Sequence, residues 1–289
     1  MGTAFDPAAG STAAGKTALV TGANTGIGLE TAVALAARGA HTILLCRDRA
    51  RGEAALAAVR GRTGSSRVEL LLADLASLAS VRAGAKELLE RHERLDVLVN
   101  NAGVWTGQRR TSPDGHELTF AVNHLGPFLL TSLLEPALAK GAPARVVNVS
   151  STLHTSGRID WDDLQLTRGW GAQKAYAQSK LLNVLFTREL ARRLAPRRVT
   201  ANAVHPGVVA TDLARDFPWL VRKAIGIFFL SPSQGAEAQV WLATDPALDG
   251  KTGCYFHRKK ETEASPAARD DEAARRLFRL SAELVGVPL

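Results

Sequence analysis

The chain has 289 residues, 46% of them hydrophobic and 22% charged; it is long enough to bury a full core without staples and too apolar for wholesale disorder. Its formal charge of +8 is spread through helical stretches such as Arg188, Arg192, Arg193, Arg197 and Arg198, with no compact basic block and no interleaved aromatics. No nucleic-acid face is therefore expected, although such a field suits an anionic cofactor. Two cysteines, Cys46 and Cys254, cannot build a disulfide framework, neither sits in a metal-ligand spacing, and no metal is expected.

The first residues, Met1 to Ala14, are small and polar and lack the charged start and apolar stretch of a secretory signal. Residues 1–15 are expected to be a flexible segment and 16–289 a single domain. No run approaches the ~20 consecutive apolar residues of a membrane span, so a cytoplasmic protein without integral membrane association is expected.

Short aliphatic runs then alternate with longer helical patterns. Strands are expected at Thr17–Thr21, His41–Cys46, Val68–Leu72, Val97–Asn100, Arg145–Val149, Thr200–Val204 and Gly253–His257. Their nearly continuous apolar character suits a parallel sheet covered on both faces. Helices are expected near Gly28–Arg38, Arg49–Arg60, Leu78–His92, Glu117–Lys140, Ala172–Leu194, Pro232–Ala243 and Asp271–Leu284. Repeated βα units predict an α/β fold, a Rossmann-type, doubly wound sheet of about seven strands in a single domain. Two irregular stretches, Ser151–Gly171 and Thr211–Ser231, interrupt the pattern, and long loops beyond strand ends often carry ligand sites in this architecture.

The first strand runs into Thr21-Gly22-Ala23-Asn24-Thr25-Gly26-Ile27-Gly28. Glycines at 22, 26 and 28 permit a tight turn and close approach of backbone to a pyrophosphate, which the following helix meets with its N-terminal amides. The spacing is GxxxGxG rather than the GxGxxG of common dinucleotide-binding dehydrogenases. Further motifs follow in order: Asn100-Asn101-Ala102-Gly103, Asn123, Ser151, Tyr176-Ala177-Gln178-Ser179-Lys180 and Pro206-Gly207. Together they resemble the short-chain dehydrogenase/reductase family in its classical branch, from about Lys16 to the carboxyl end. Thr21–Gly28, Cys46-Arg47-Asp48, Asn123-His124-Leu125-Gly126, Val204–Val209 and the long stretch from Ser151 to Tyr176 resemble its retinol-dehydrogenase-like group. Membrane-bound members of that group carry an amino-terminal hydrophobic anchor, which this sequence does not show.

The resemblance implies hydride exchange between a nicotinamide cofactor and a carbonyl/alcohol pair. Gly22, Asn24, Thr25, Gly26, Ile27 and Gly28 would hold the pyrophosphate, Asp74 and Leu75 the adenine, and Asn101, Ala102 and Gly103 the cofactor's other flank. Pro206, Gly207 and Val209 would line the nicotinamide, and Thr211 would contact its carboxamide or the phosphate. Where NAD-preferring relatives end the second strand in an acid, this chain has Cys46 followed by Arg47. A guanidinium there suits the 2′-phosphate of NADP, so NADP(H) is expected over NAD(H); Asp48, two places late, reads as a helix N-cap.

Tyr176 and Lys180, four apart on a helix, share one face. Tyrosine titrates near ~10 when unperturbed; an adjacent ammonium and an oxidised nicotinamide would favour its phenolate. By the resemblance Tyr176 is the general acid/base, Lys180 also holds the nicotinamide ribose, Ser151 orients the reacting oxygen and Asn123 holds a water beside the lysine. His205 is read as structural. The apolar residues Phe217, Trp219, Ile225, Phe228 and Phe229 form either a lid over a lipophilic substrate in the 211–232 loop or a subunit contact; relatives also lead one to expect a homo-oligomer. A regulatory or scaffold protein that kept the fold and its NADP(H) could discard Ser151, Asn123, Tyr176 or Lys180, and all four are present. A sugar-nucleotide epimerase or dehydratase would show different glycine spacing.

Overall fold

The computed structural model describes residues 12–208 and 230–288. Eight strands form one sheet: β1 (Thr17–Thr21), β2 (His41–Cys46), β3 (Val68–Leu72), β4 (Val97–Asn100), β5 (Ala144–Val149), β6 (Val199–His205), β7 (Tyr255–His257) and β8 (Lys260–Glu261). Their spatial order is β3-β2-β1-β4-β5-β6-β7-β8. All neighbours are parallel except β7 and β8, where Phe256 faces Glu261 and His257 faces Lys260. The eighth strand is the one sheet element the sequence reading does not contain. It is two exposed, charged residues beyond Arg258, whose φ of 56° turns the chain back, and such a strand has no apolar signature to read.

The helices are α1 (Gly26–Ala37), α2 (Arg49–Thr63), α3 (Leu78–Arg91), α4 (Gly126–Lys140), α5 (Ala172–Leu194), α6 (Pro232–Thr244) and α7 (Asp271–Val285). Strands β1 to β7 present alternate residues to two separate cores. Ala18 and Val20 of β1 pack with Val33 and Leu35 of α1, Val59 of α2 and Leu242 of α6; Leu19 joins Leu88 of α3, Phe128 of α4, Leu185 of α5 and Leu277 of α7 on the other face. A strand buried on both sides has no polar alternation to lose, which is why these segments read as unbroken apolar runs. Asp48 does cap α2, accepting from Arg51 N at 2.8 Å.

Within the expected helix 117–140, a short turn (Leu118–Phe120) leads through a π-helical turn (Ala121–Leu125) into α4. The widened turn carries Asn123, and π-turns inside helices commonly mark functional positions.

Residues 1–11 of the expected flexible segment lie outside the described residues. Ala13, just beyond them, is buried and donates to Arg38 O at 2.9 Å. Most of the 211–232 loop, including Thr211, Phe217, Trp219, Ile225, Phe228 and Phe229, likewise lies outside them, as does Val209. No helix among the described residues is long and apolar enough to cross a membrane.

Candidate active site

The strand order reverses between β1 and β4, and there the carboxyl ends of adjacent strands open a crevice. A cavity of about 590 Å³ occupies it. Gly22, Asn24, Thr25, Gly26, Ile27 and Gly28 line one end, with Asp74 and Leu75 beside them; Asn101, Ala102 and Gly103 form the middle, and Ser151, Tyr176, Lys180, Pro206 and Gly207 the other end. Asn123 is fully buried behind the wall rather than on it.

The glycine-turn end depends on close backbone packing. A Cβ built on Gly28 would come within 2.3 Å of Gly22 O and 2.5 Å of Asn101 Nδ2, so no side chain fits. Gly22 itself has φ 65°, and a Cβ there would press on Ala102 at 3.0 Å. The Thr21 hydroxyl accepts from the backbone N–H groups of Asn101 and Ala102, both at 3.0 Å, while Asn101 Nδ2 donates to Thr21 O at 2.9 Å. Gln239 of α6 donates to Asn101 Oδ1 at 3.2 Å and accepts from Thr31 of α1 at 3.0 Å. The ends of β1 and β4 are thereby locked beside the first turn of α1. Thr25, at that N-cap, makes no side-chain capping bond, which leaves first-turn amides available to an anion.

At the outer end Arg47 and Arg51 are both exposed and both line the cavity. Arg51, in the first turn of the helix that Asp48 caps, is absent from the sequence reading; its place three residues after that N-cap is the available clue. Cys46 is buried and its thiol is pushed up to about 11 by burial, with only a backbone hydrogen bond from Ala23 and the charge of Arg51 opposing. It is uncharged at neutral pH.

The chemical end is set by α5 and the end of β5. Tyr176 and Lys180 are buried on one face, with Lys180 Nζ 5.4 Å from the tyrosine ring centre. Nζ donates to Val149 O at 3.1 Å, and Ser150 Oγ donates to Lys180 O at 2.8 Å. Burial raises the Tyr176 hydroxyl well above the ordinary tyrosine range, and its hydrogen bond with Ser151 only partly offsets this. Burial also draws Lys180 down to about 8. The sequence argument that the lysine charge favours the phenolate is thus outweighed in the free protein: desolvation dominates, and Tyr176 is a phenol at neutral pH.

Asn123 works as a clamp. Its Oδ1 accepts from Val104 N at 2.7 Å, while Nδ2 donates to Val104 O and to Ser179 Oγ, both at 3.0 Å. A Cβ on Gly103 would lie 3.4 Å from Asn123 Oδ1 and 3.5 Å from Lys180 Nζ, so position 103 borders the space between those polar ends.

Two further residues escape the sequence reading. Trp105 stacks on Tyr176, ring centres 4.7 Å apart and planes 9° from parallel; its place two residues beyond the Asn-Asn-Ala-Gly motif is the available clue. His154 donates from Nδ1 to Ser151 O at 2.7 Å and accepts at Nε2 from Ser265 N at 3.2 Å. It fastens the Ser151 turn to the carboxyl-terminal region, and no short-range pattern announces that. His205 lines the cavity but burial, with His257 and Arg258 nearby, lowers it to about 4, so it is neutral.

The long stretch before Tyr176 is packed rather than loose. Glu117, buried, accepts from Trp170 Nε1 at 3.2 Å, and its own N–H donates to Gln165 Oε1 at 2.8 Å. Those bonds tie the 151–171 segment to the helical turn that leads into Asn123.

The buried ammonium makes a stability prediction. Folded Lys180 loses its proton near pH 8, whereas unfolded lysine keeps it to 10.5. Between those values the unfolded chain binds more protons, so stability attributable to this group rises with pH, and the penalty is fully present below about 8. Asn183 Nδ2 also donates to Val149 O, at 3.2 Å, so removing the ammonium does not orphan that carbonyl. In cofactor-free protein, urea unfolding should find Lys180→Met more stable than the parent at pH 7, with the difference shrinking as pH climbs from 8 toward 10.5. A difference independent of pH would contradict the assignment.

The chain's relatives agree with this geometry. A family profile described as short chain dehydrogenase matches residues 16–218. Human retinol dehydrogenase 13 is 47% identical over 282 residues, which cover 94% of this chain and 85% of that protein. Bovine dehydrogenase/reductase SDR family member 13 is 46% identical over 280 residues, covering 94% and 74%. Among solved structures, an uncharacterised protein from Mycobacterium paratuberculosis superposes with a TM-score of 0.81 at 36% identity, over 99% of both chains. RhlG of Pseudomonas aeruginosa, in complex with NADP, gives a TM-score of 0.69 at 26% identity over 91% of this chain and 98% of that one. Sequence, sheet order and the cavity at the β1/β4 switch point converge on one conclusion: the chain belongs to the short-chain dehydrogenase/reductase family, resembles its retinol-dehydrogenase-like members, and is an oxidoreductase of that kind.

Proposed function

We propose that this enzyme moves hydride between NADP(H) and a lipophilic carbonyl/alcohol pair, with Tyr176 as the general acid/base. The observation that carries the proposal is that Tyr176, Ser151 and Lys180 line the same cavity as the glycine turn at the start of α1. The nicotinamide supplies or takes the hydride; the rest is done by the chain. Ser151 holds the substrate oxygen against the Tyr176 hydroxyl, and in reduction the phenolic proton passes to that oxygen as it gains charge. Because burial keeps Tyr176 protonated, the free enzyme already holds the proton that carbonyl reduction consumes. Lys180, anchored to Val149 O, lies where it can hold the nicotinamide ribose and help return the proton. Asn123 keeps the Gly103–Val104 backbone in register with α5 and with that lysine.

The preference for NADP(H) rests on charge. Arg47 and Arg51 flank the outer end of the cavity, and the strand-end position that would carry a ribose-binding acid holds an uncharged thiol. A 2′-phosphate meets two guanidiniums and no carboxylate at the strand end. The lipophilic substrate class rests on Val104, Trp105, Leu118, Val122 and Leu153, which line the chemical end, and on relatives named retinol dehydrogenases. Action as a cytoplasmic homo-oligomer is part of the same reading and rests on the family resemblance and on the sequence.

Tyr176→Phe should bind NADPH as the parent does, measured by fluorescence titration, while carbonyl reduction falls by roughly a hundred- to ten-thousand-fold; undiminished turnover would remove Tyr176 from the proton transfer. Arg47→Asp should weaken NADPH by roughly tenfold or more and leave NADH little changed; equal effects on the two nucleotides would remove Arg47 as the phosphate reader.

A further inference from the structure

At the opposite end of the strands from the cavity, three residues distant in sequence meet. His41 opens β2, Glu69 is the second residue of β3, and His92 directly follows α3. We propose that His41, Glu69 and His92 form a three-ligand site for a zinc-type divalent ion, independent of the oxidoreductase chemistry.

The geometry is that of ligands facing a common point. One donor atom from each residue lies within 4.8 Å of the other two. His41 Nε2 is 3.0 Å from Glu69 Oε1, and His92 Nε2 contacts the same oxygen. With metal–ligand bonds of about 2.0–2.2 Å, donors around a tetrahedral ion stand roughly 3.4 Å apart, so the trio needs only small adjustments to close on one ion. Glu69 Oε1 takes both imidazoles at once, His41 Nε2 and His92 Nε2 converging on one carboxylate oxygen. An ion enters by displacing the protons of those two nitrogens.

The chemistry selects the ion. Two imidazoles and one carboxylate make a borderline donor set that suits zinc and disfavours magnesium, which prefers oxygen ligands and its own water. Imidazole binds metal through a deprotonated ring nitrogen, so affinity at this site falls as pH drops. Glu69 Oε2 is engaged by Arg91 at 3.2 Å, and Arg91 is held in turn by Glu87 at 3.3 Å. The guanidinium orients the carboxylate so that Oε1 turns to the imidazoles. Its charge, with that of nearby Arg67, also opposes a second cation, so the affinity is moderate. All three side chains are half-buried, which leaves a coordination position for water. The site would tie the end of α3 to the β2–β3 edge, a stabilising role with no part in hydride transfer.

The test is calorimetric titration of zinc chloride into full-length, tag-free, chelator-treated protein. One ion per chain is expected, with affinity at least roughly tenfold weaker in the His41→Gln/His92→Gln double variant and in Glu69→Gln, and with no comparable binding of magnesium. Thermal unfolding of the parent should rise with zinc concentration, because only the folded chain assembles the trio. No zinc binding, or binding undiminished in variants that fold, overturns the site. Should the variants fail to fold, anomalous diffraction at the zinc edge from parent crystals decides: a peak between the three side chains supports the site, and a peak elsewhere or none overturns it.

Discussion

Everything at the cavity depends on how closely the ends of β1 and β4 approach. The Thr21 hydroxyl takes the N–H groups of Asn101 and Ala102, Asn101 returns a bond to Thr21 O, and Gly28 sits where any Cβ would strike Gly22 O and Asn101 Nδ2. That seam fixes three things together. It aims the first turn of α1 at the crevice, it sets the path of the Asn101–Val104 backbone, and through Val104 it meets Asn123 on the π-turn before α4. A loosened seam would spoil the glycine turn and the Tyr176–Lys180 end alike, because both hang from the same few backbone atoms.

The chemical end is an exercise in burial. Tyr176 and Lys180 lie a turn apart in a helix whose face is sealed against β5 and the 151–171 segment, and each is pushed toward its neutral form. Two opposite charges side by side would be favourable in water-free surroundings, but each must first be desolvated, and here the second effect is the larger. A bound cofactor changes the balance by supplying its own charges and hydroxyls. In the free protein Tyr176 therefore keeps its proton, and burial lowers the neighbouring histidines His154 and His205, favouring their neutral forms.

Much of this was legible from the residues alone. Strand positions came from unbroken aliphatic runs, and helix starts from Asp48 and the glycine turn, because local chemistry and tertiary role coincide at those places. The ordered motifs identified the cavity lining for the same reason: glycines and small polar groups are needed where backbone must approach closely. Legibility failed where the cause is three-dimensional. Trp105 gains its place only when α5 brings Tyr176 under it. His154 acts through Ser265, far along the chain. Strand β8 exists only because a turn at Arg258 lays two charged residues against β7. The His41–Glu69–His92 cluster has no spacing at all to read, since three separate elements must pack before its members meet. Desolvation is the other blind spot, because proximity of Lys180 to Tyr176 suggests a phenolate until the burial of both is known.

The most direct test of the central claim follows the hydride itself. The enzyme would be mixed with NADPH carrying two deuterium atoms at nicotinamide C4 and with a panel of lipophilic aldehydes and ketones that includes retinal, and the alcohol products weighed by mass spectrometry. The account predicts an alcohol with one deuterium on the carbinol carbon, formed in step with loss of the reduced-nicotinamide absorbance. Consumption of NADPH with no deuterium in the product, or bound NADPH that reduces no member of the panel, would contradict it.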